Sequence, residues 1–475
     1  MPGTRKDVLR LINAWLNDLN EPNIFWLSGS PGSGKTTIAS TVVADFYCVS
    51  GSCFFDRNEA ELRDPDNLWR CIAFDLCLGS NDLEKSIARA LETQRANIKD
   101  LDISMQFEHL IAKPLQEVFG TAITPILVVV DALDECDSYE KLLPSLTAWS
   151  YLPKSVKLLI SSRCYGDIQS SLSSVSVHTK LHTGHKMSIQ TSDDLVNYFI
   201  GRFFVVPGLY PYWPGPAIVS LLVRKAAGLF IWAKCAMDFI LYTGGDPEER
   251  LDLVSAGLED GVDAVDSLYH EIISSALQGL TEQKKIALTS VLGTIAIAEN
   301  PLCTQDLKVL LGVNDALLNS IIGQLSPILS ISDANYLHFC HQSVADFLLD
   351  PERSKKFGID GELHSLYFSG YLWNAQKDQT VMNHLKGHKD CVTPPSSPPL
   401  SPHHLSFSNS NDSSESLAQI LKDTSDNSAY KSLLRLEGDS AQKMLNFLQK
   451  VRHMAAQKSA LSQISLPPSC LIVQS

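Results

Sequence analysis

Several absences bound this chain before any motif is read. Its eleven cysteines form no C-x-x-C pair and no metal-type spacing, which argues against a disulfide scaffold or zinc site and for reduced thiols in a core. The N-terminus MPGTRKDVLR has no apolar core of the signal-peptide kind. The longest greasy stretch, Ala217 to Leu241, is interrupted by Arg224, Lys225, Lys234 and Asp238, so a buried helix pair is expected there and not a membrane span. There is no excess of positive charge either. The formal net charge is −14, which argues against nucleic acid or an anionic membrane as the main partner. No internal repeat is visible, and no N-K-x-D pattern for reading guanine. What remains is the expectation of a soluble, cytoplasmic protein whose 475 residues suffice for two to four domains.

Against that background one stretch stands out, FWLSGSPGSGKTTIAS from Phe25 to Ser40. A strand-like apolar run precedes a loop of Gly29, Ser30, Pro31, Gly32, Ser33 and Gly34, followed by Lys35, Thr36 and Thr37 at the start of a helix. This is the G-x-x-x-x-G-K-[ST] (Walker A) pattern. Glycines let the backbone curl so that its N–H groups face a phosphate chain, and the new helix adds about half a positive charge at its N-terminus. Lys35 is expected at the β- and γ-phosphates of a nucleoside triphosphate, and the Thr36 hydroxyl at Mg²⁺. The missing guanine motif favours ATP or ADP, with GTP as the alternative.

Two further strand ends carry polar clusters. In PILVVVDALDECDS, Ile126 to Val130 are five consecutive apolar residues, as in a central parallel strand buried on both faces. Asp131 closes that strand, where a carboxylate can hold the Mg²⁺ shell. Asp134 and Glu135 follow and can orient or deprotonate an attacking water, with spacing alone unable to choose between them. KLLISSRCYGDI (Lys157 to Ile168) repeats the design and ends in Ser161, Ser162 and Arg163, the arginine suited to a γ-phosphate. Strands alternating with helices predict an α/β fold with a doubly wound parallel sheet, whose ligand-facing residues lie at the strands' carboxyl ends.

The predicted organisation is a lead helix (1–22), a P-loop core (23–190), an all-α lid (191–262) and a winged-helix-like domain (263–355). A helical extension (356–390), a disordered Pro/Ser-rich linker (391–417) and a weakly helical tail (418–475) follow. Within the core, helices are expected over 38–49, 67–78, 82–95 and 105–118, and a second strand over 51–57. Thr393, Ser397 and Ser401 each precede proline, the context that proline-directed kinases use.

Together these residues resemble the NACHT branch of the STAND (signal-transduction) P-loop NTPases, especially the fungal, NLR-like group described as nephrocystin-3-like. PGTRKDVLRLINAW with IFWLSGSPGSGKTTIA is similar to that group's lead-in and phosphate loop. VVVDALDECD is similar to its second (Walker B) motif and LLISSR to its sensor strand. AAGLFIWAKCAMDFI and LHFCHQSVADFLLD extend the likeness to about Asp350. The resemblance implies phosphate and Mg²⁺ binding by Lys35 and Thr36, metal binding by Asp131 and hydrolysis supported by Asp134 or Glu135. It further implies a sensor role for Arg163, and His341 as the winged-helix histidine that contacts the β-phosphate of ADP. One departure is plain: many relatives have Gly-x-Pro where this chain has Gly228, Leu229 and Phe230. The implied activity is a switch, closed and monomeric with ADP, open and self-associating with ATP, with slow hydrolysis. A non-hydrolysing scaffold or shortened paralogue is the alternative, since no effector or sensor-repeat pattern is recognisable. A metabolic phosphotransferase ranks below both, for want of an acceptor site.

Overall fold

The computed structural model describes residues 3–359 apart from 58, 95–100, 121–123, 205–212, 243, 257–260, 299–300 and 333–334. The extension, linker, tail and Ser/Thr-Pro steps anticipated after residue 359 therefore lie outside the described residues. Five parallel strands form the main sheet: β1 (Ile24–Gly29), β2 (Val49–Phe54), β3 (Ile126–Asp131), β4 (Val156–Ser162) and β5 (Ser176–Leu181). Their order is β2-β3-β4-β1-β5, so β4 separates the phosphate-loop strand from the acidic strand.

The apolar runs of the central strands follow from coverage on both faces. Ile24, Trp26, Val128, Val130, Leu158 and Ile160 point into a layer with Trp69, Phe107 and Trp149. The alternate residues Phe25, Leu27, Leu127, Val129 and Leu159 point the other way, onto the lead helix Lys6–Asn17 through Ile12 and Trp15 and onto Ile38 of the helix Lys35–Asp45. Sequence periodicity overran the first crossover. The helix expected to reach Val49 ends at Asp45, and Val49 opens β2. The strand expected to continue to Arg57 stops at Phe54, opposite the last residue of β3, Asp131, and frees Arg57 to turn toward the acidic cluster. The edge strand β5 gave no apolar signal because its outer side is partly exposed.

Beyond the sheet the chain is helical, through Ile189–Phe204, Pro216–Ala226, Phe230–Ile240, Pro247–Ala256, Gly261–Leu277 and Glu282–Ile297. Strand β6 (Leu302–Cys303) precedes two shorter helices, Thr304–Leu311 and Asp315–Gln324, and forms an antiparallel sheet with β7 (Leu329–Ile331) and β8 (Tyr336–Phe339) in the order β6-β8-β7. This helix pair with a small hairpin is the winged-helix arrangement. A single hydrophobic core runs from Leu195 through Trp232, Tyr269 and Leu292 to Phe347, so lid and winged helix are packed as one body. Specific polar ties reinforce it: the Trp232 indole donates to the Ala264 carbonyl at 3.0 Å, and the Tyr269 and Ser343 hydroxyls lie 2.8 Å apart. Among the described residues no helix is long and apolar enough to cross a membrane.

Truncating Leu159 to alanine at the fully buried centre of β4 should cost about 2–5 kcal/mol of stability, from lost transfer energy plus a cavity. Urea unfolding measures this, and a loss below about 1 kcal/mol would contradict the packing described.

Candidate functional site

Every residue of the loop is placed by β1 below and the helix Lys35–Asp45 above. Gly32 and Gly34 have φ of +74° and +94°, backbone that side-chain-bearing residues rarely adopt. A Cβ on Gly32 would also lie 2.1 Å from Cγ2 of Ile231, because the lid packs directly on the loop and the Ile231 amide donates to the Gly32 carbonyl at 3.2 Å. Lys35 lies along the loop, its Nζ donating to the carbonyls of Gly29 (3.0 Å) and Ser30 (3.1 Å). Burial lowers its proton affinity, while Asp134 and Asp131 oppose the shift. Thr36 and Thr37 are exposed on the cavity wall, and the Ser30 hydroxyl meets that of Thr183 at 3.2 Å.

A cavity of about 240 Å³ opens over this loop. Its lining brings together Pro31, Gly32, Gly34, Lys35, Thr36 and Thr37 from the loop with Asp134, Glu135 and Arg163 from the strand ends. From the other body come Phe230, Ile231, Lys234, Cys340 and His341. Asp131 stands behind this lining. It is 1% exposed and accepts a hydrogen bond from the Ser161 hydroxyl, which also accepts from the Ala132 amide at 3.1 Å. The two acids that spacing left equivalent are not equivalent in space. Asp134 is buried and bound twice by Arg163, whose backbone N donates at 2.8 Å and whose Nε lies 3.0 Å away. Glu135 is less buried, and its carboxylate accepts from the Arg57 amide at 3.4 Å.

His341 caps the helix Gln342–Leu348. Its Nδ1 accepts from the Ser343 amide at 3.1 Å, which leaves the proton of the neutral ring on Nε2 as a donor. Burial, then the nearby cations Lys35 and Arg163, push its pKa down to about 4, against a smaller opposing pull from Asp346. The imidazole is therefore neutral at pH 7.

Sequence reasoning missed four contributors. Arg5 is buried. Its guanidinium donates to the Ser33 carbonyl and the Thr191 hydroxyl, both at 2.7 Å, and stacks over Phe230 at 4.9 Å. Phe230 is thus a platform that joins lead helix, loop and lid. Lys234 faces the cavity while pairing with Asp238 at 2.9 Å. Arg57 and Asp346 approach the site from opposite bodies. Only the family-like segments PGTR and HQSVADFLLD hinted at Arg5 and Asp346, and no spacing rule pairs residues so far apart.

These groups fit a nucleoside polyphosphate. Among the described residues the Ser33 hydroxyl is buried without a hydrogen-bond partner, Gly32 leaves no room for a side chain, and three cationic side chains converge on one cavity. Among the described residues no three His, Cys, Asp or Glu side chains cluster as a metal site. Thr36 and Asp131 would hold Mg²⁺ only together with phosphate oxygens.

Residues 3–163 match the family model described as Nephrocystin 3, N-terminal. This segment is nephrocystin-3-like. The nephrocystin-3-like segment contains Arg5, the phosphate loop, Asp131, Asp134 and Glu135 and ends on Arg163, whereas the lid and winged-helix side of the cavity lies beyond it. No curated protein matches the chain. Among solved structures it is similar to a Signal Transduction ATPase with Numerous Domains (STAND) protein with a tetratricopeptide repeat sensor from Pyrococcus horikoshii, at 15% identity and a TM-score of 0.43. That match covers 97% of this chain and 55% of the other, so the chain spans about half the length of that protein. A Walker-type ATPase of Pyrococcus abyssi matches at 13% identity and a TM-score of 0.37, over 72% of this chain and 94% of that one.

Because the folded protein holds His341 with a pKa below its ordinary value of 6.5, the unfolded chain takes up a proton that the folded one refuses. Stability contributed by the neutral ring is complete above about pH 6.5 and is lost as pH falls toward 4. Between pH 7 and 5 the wild type should therefore lose up to about 2 kcal/mol more than His341→Gln. Parallel denaturation curves at the two pH values measure this, and equal losses would contradict the assignment.

Proposed function

We propose that the chain is a nucleotide-binding signal-transduction switch of the NACHT/STAND kind, binding ATP or ADP with Mg²⁺ and hydrolysing the triphosphate slowly. The observation that carries this reading is that positions as distant as Lys35, Arg163 and His341 line one cavity. A ligand there touches the parallel-sheet core and the winged helix at once. Bound Mg²⁺ would neutralise phosphate charge and polarise the terminal phosphoryl group. Lys35, now on loop carbonyls, would serve the β- and γ-phosphates, and Thr36 and Asp131 would hold the metal. Glu135, on the cavity lining, is assigned the orientation or deprotonation of water in this reading. Asp134 is better suited to fixing Arg163, because its carboxylate is already engaged by that side chain. Neutral His341 donates Nε2–H to a phosphate oxygen.

A hydrogen bond to a charged phosphate contributes about 1.5–3 kcal/mol. Moving a population from 1:99 to 99:1 requires about 5.5 kcal/mol. His341 alone is therefore insufficient, and contacts between the two bodies supply the remainder. The engaged state of Asp134 also favours a second reading, a binder with little or no turnover, in which the same nucleotide contacts persist without catalysis.

Light-scattering size measurements with MgADP and with a non-hydrolysable ATP analogue test the switch. A monomer with the first and a larger species with the second are expected, and identical species in both would contradict it. Lys35→Ala should bind neither nucleotide. Glu135→Gln should keep binding while losing turnover at least tenfold, whereas a wild type that binds but never turns over selects the second reading.

A further inference from the structure

Two cysteines meet at the wall of the cavity. Cys235 lies in the helix Phe230–Ile240 and is fully buried. Cys340 is half-buried, follows β8 and lines the cavity beside His341. Their sulfurs are 3.8 Å apart, although 105 positions separate them in sequence. The Cys340 sulfur also lies 3.5 Å from the Pro327 carbonyl, which accepts its S–H. The S–H of Cys235 is then left to point at the Cys340 sulfur. Neither thiol has a part in the nucleotide reading.

The two thiols are unequal in a way that suits stepwise oxidation. Accepting the Cys235 S–H lowers the proton affinity of Cys340, with burial opposing and the neighbouring Lys234 adding to the effect. Cys235, as the donor and in full burial, is pushed the other way. The thiolate is the form that attacks oxidants, and of the two only Cys340 borders the cavity. Closing the pair to a disulfide of about 2.05 Å shortens the sulfur separation by about 1.8 Å. The lid and winged helix that carry the two residues already share one core, so no rearrangement of bodies is needed to bring them together.

We propose that Cys235 and Cys340 form a redox-active dithiol, a modification site that hydrogen peroxide reaches through the open cavity. In the first step the Cys340 thiolate attacks one peroxide oxygen and the O–O bond breaks. The sulfur becomes a sulfenic acid, and the second oxygen leaves as hydroxide, which takes up the proton released by Cys340 to give water. In the second step the Cys235 sulfur attacks the sulfenic sulfur. The S–S bond forms, the S–O bond breaks, and the departing hydroxide takes the Cys235 proton as a second water. Two thiols thus lose two electrons and one peroxide gains them. The disulfide ties the residue before His341 to the lid helix that carries Ile231 and Lys234. A nucleotide filling the cavity covers Cys340, so oxidation registers an empty site; this coupling rests on the nucleotide-binding reading above, whereas the dithiol does not.

The test treats the reduced full chain with a slight excess of hydrogen peroxide, alkylates the remaining thiols and maps unreduced peptides by mass spectrometry. A Cys235–Cys340 linked peptide that dithiothreitol cleaves is expected, at least about tenfold above any other pairing, because an adjacent thiol has the higher effective concentration. Cys235→Ala should stop Cys340 at the sulfenic acid, captured by a cyclic 1,3-dione, and Cys340→Ala should leave Cys235 as a thiol. MgADP at about ten times the Kd measured by calorimetry should slow linkage about tenfold, in proportion to the sites left empty. Recovery of both thiols alkylated, or a linked peptide no more abundant than other pairings, would overturn the proposal. An unchanged rate with MgADP bound would overturn access through the cavity. Absence of MgADP binding would instead overturn the functional reading, while the linked peptide still decides the dithiol.

Discussion

Arg163 stands at the carboxyl end of β4 with Asp134 on one side and Asp346 on the other, and the arrangement of both bodies can be traced from it. Its position follows from the strand order. Because β4 lies between β1 and β3, the residue after β4 stands between the phosphate loop and the acidic cluster. The second body meets the first through a few defined contacts. Ile231 sits against Gly32 so closely that no larger residue is tolerated there, and Arg5 ties the Ser33 carbonyl to Thr191 and Phe230. Asp346 answers Arg163 from the winged helix. These contacts enclose the loop, so a phosphate chain held there also has the lid and winged helix as its walls.

None of these contacts is strong alone. Partly exposed ion pairs such as those of Asp346 contribute about 0–1 kcal/mol each, and a single hydrogen bond about 0.5–1.5 kcal/mol. The large shared core from Leu195 to Phe347 keeps lid and winged helix rigid as one unit, so small differences at the cavity act on the whole unit. A body attached by a few weak polar contacts and one close apolar approach is consistent with the proposed switch. Binding energies of a few kcal/mol, of the size a phosphate contact supplies, can decide its position.

The sheet was legible in the sequence because its central strands are covered on both faces, and Ile126 to Val130 can be nothing but apolar. Elements with one wet face were harder. The polar edge strand β5 passed unseen, and the helix after the loop was extended into β2 because Val49 is apolar in either structure. The phosphate loop and its strand-end acids were legible as local patterns whose spacing reflects one turn of backbone. The difference between Asp134 and Glu135 was not, since it depends on where Arg163 points, and that is set by strand order and not by sequence distance. Arg5 and Asp346 had no signal beyond the family-like segments that carry them, for the same reason. Their partners, Ser33 and Arg163, lie in other elements, and a lone charge on a helix end looks like any solvated residue.

The central claim is that one nucleotide touches both bodies. Hydrogen–deuterium exchange of the full chain with and without MgADP tests it most directly, by comparing the phosphate loop with the segment Cys340 to Leu348. Slower exchange in both regions on adding MgADP is the predicted result. Protection confined to the loop, with Cys340 to Leu348 unchanged, would contradict the account.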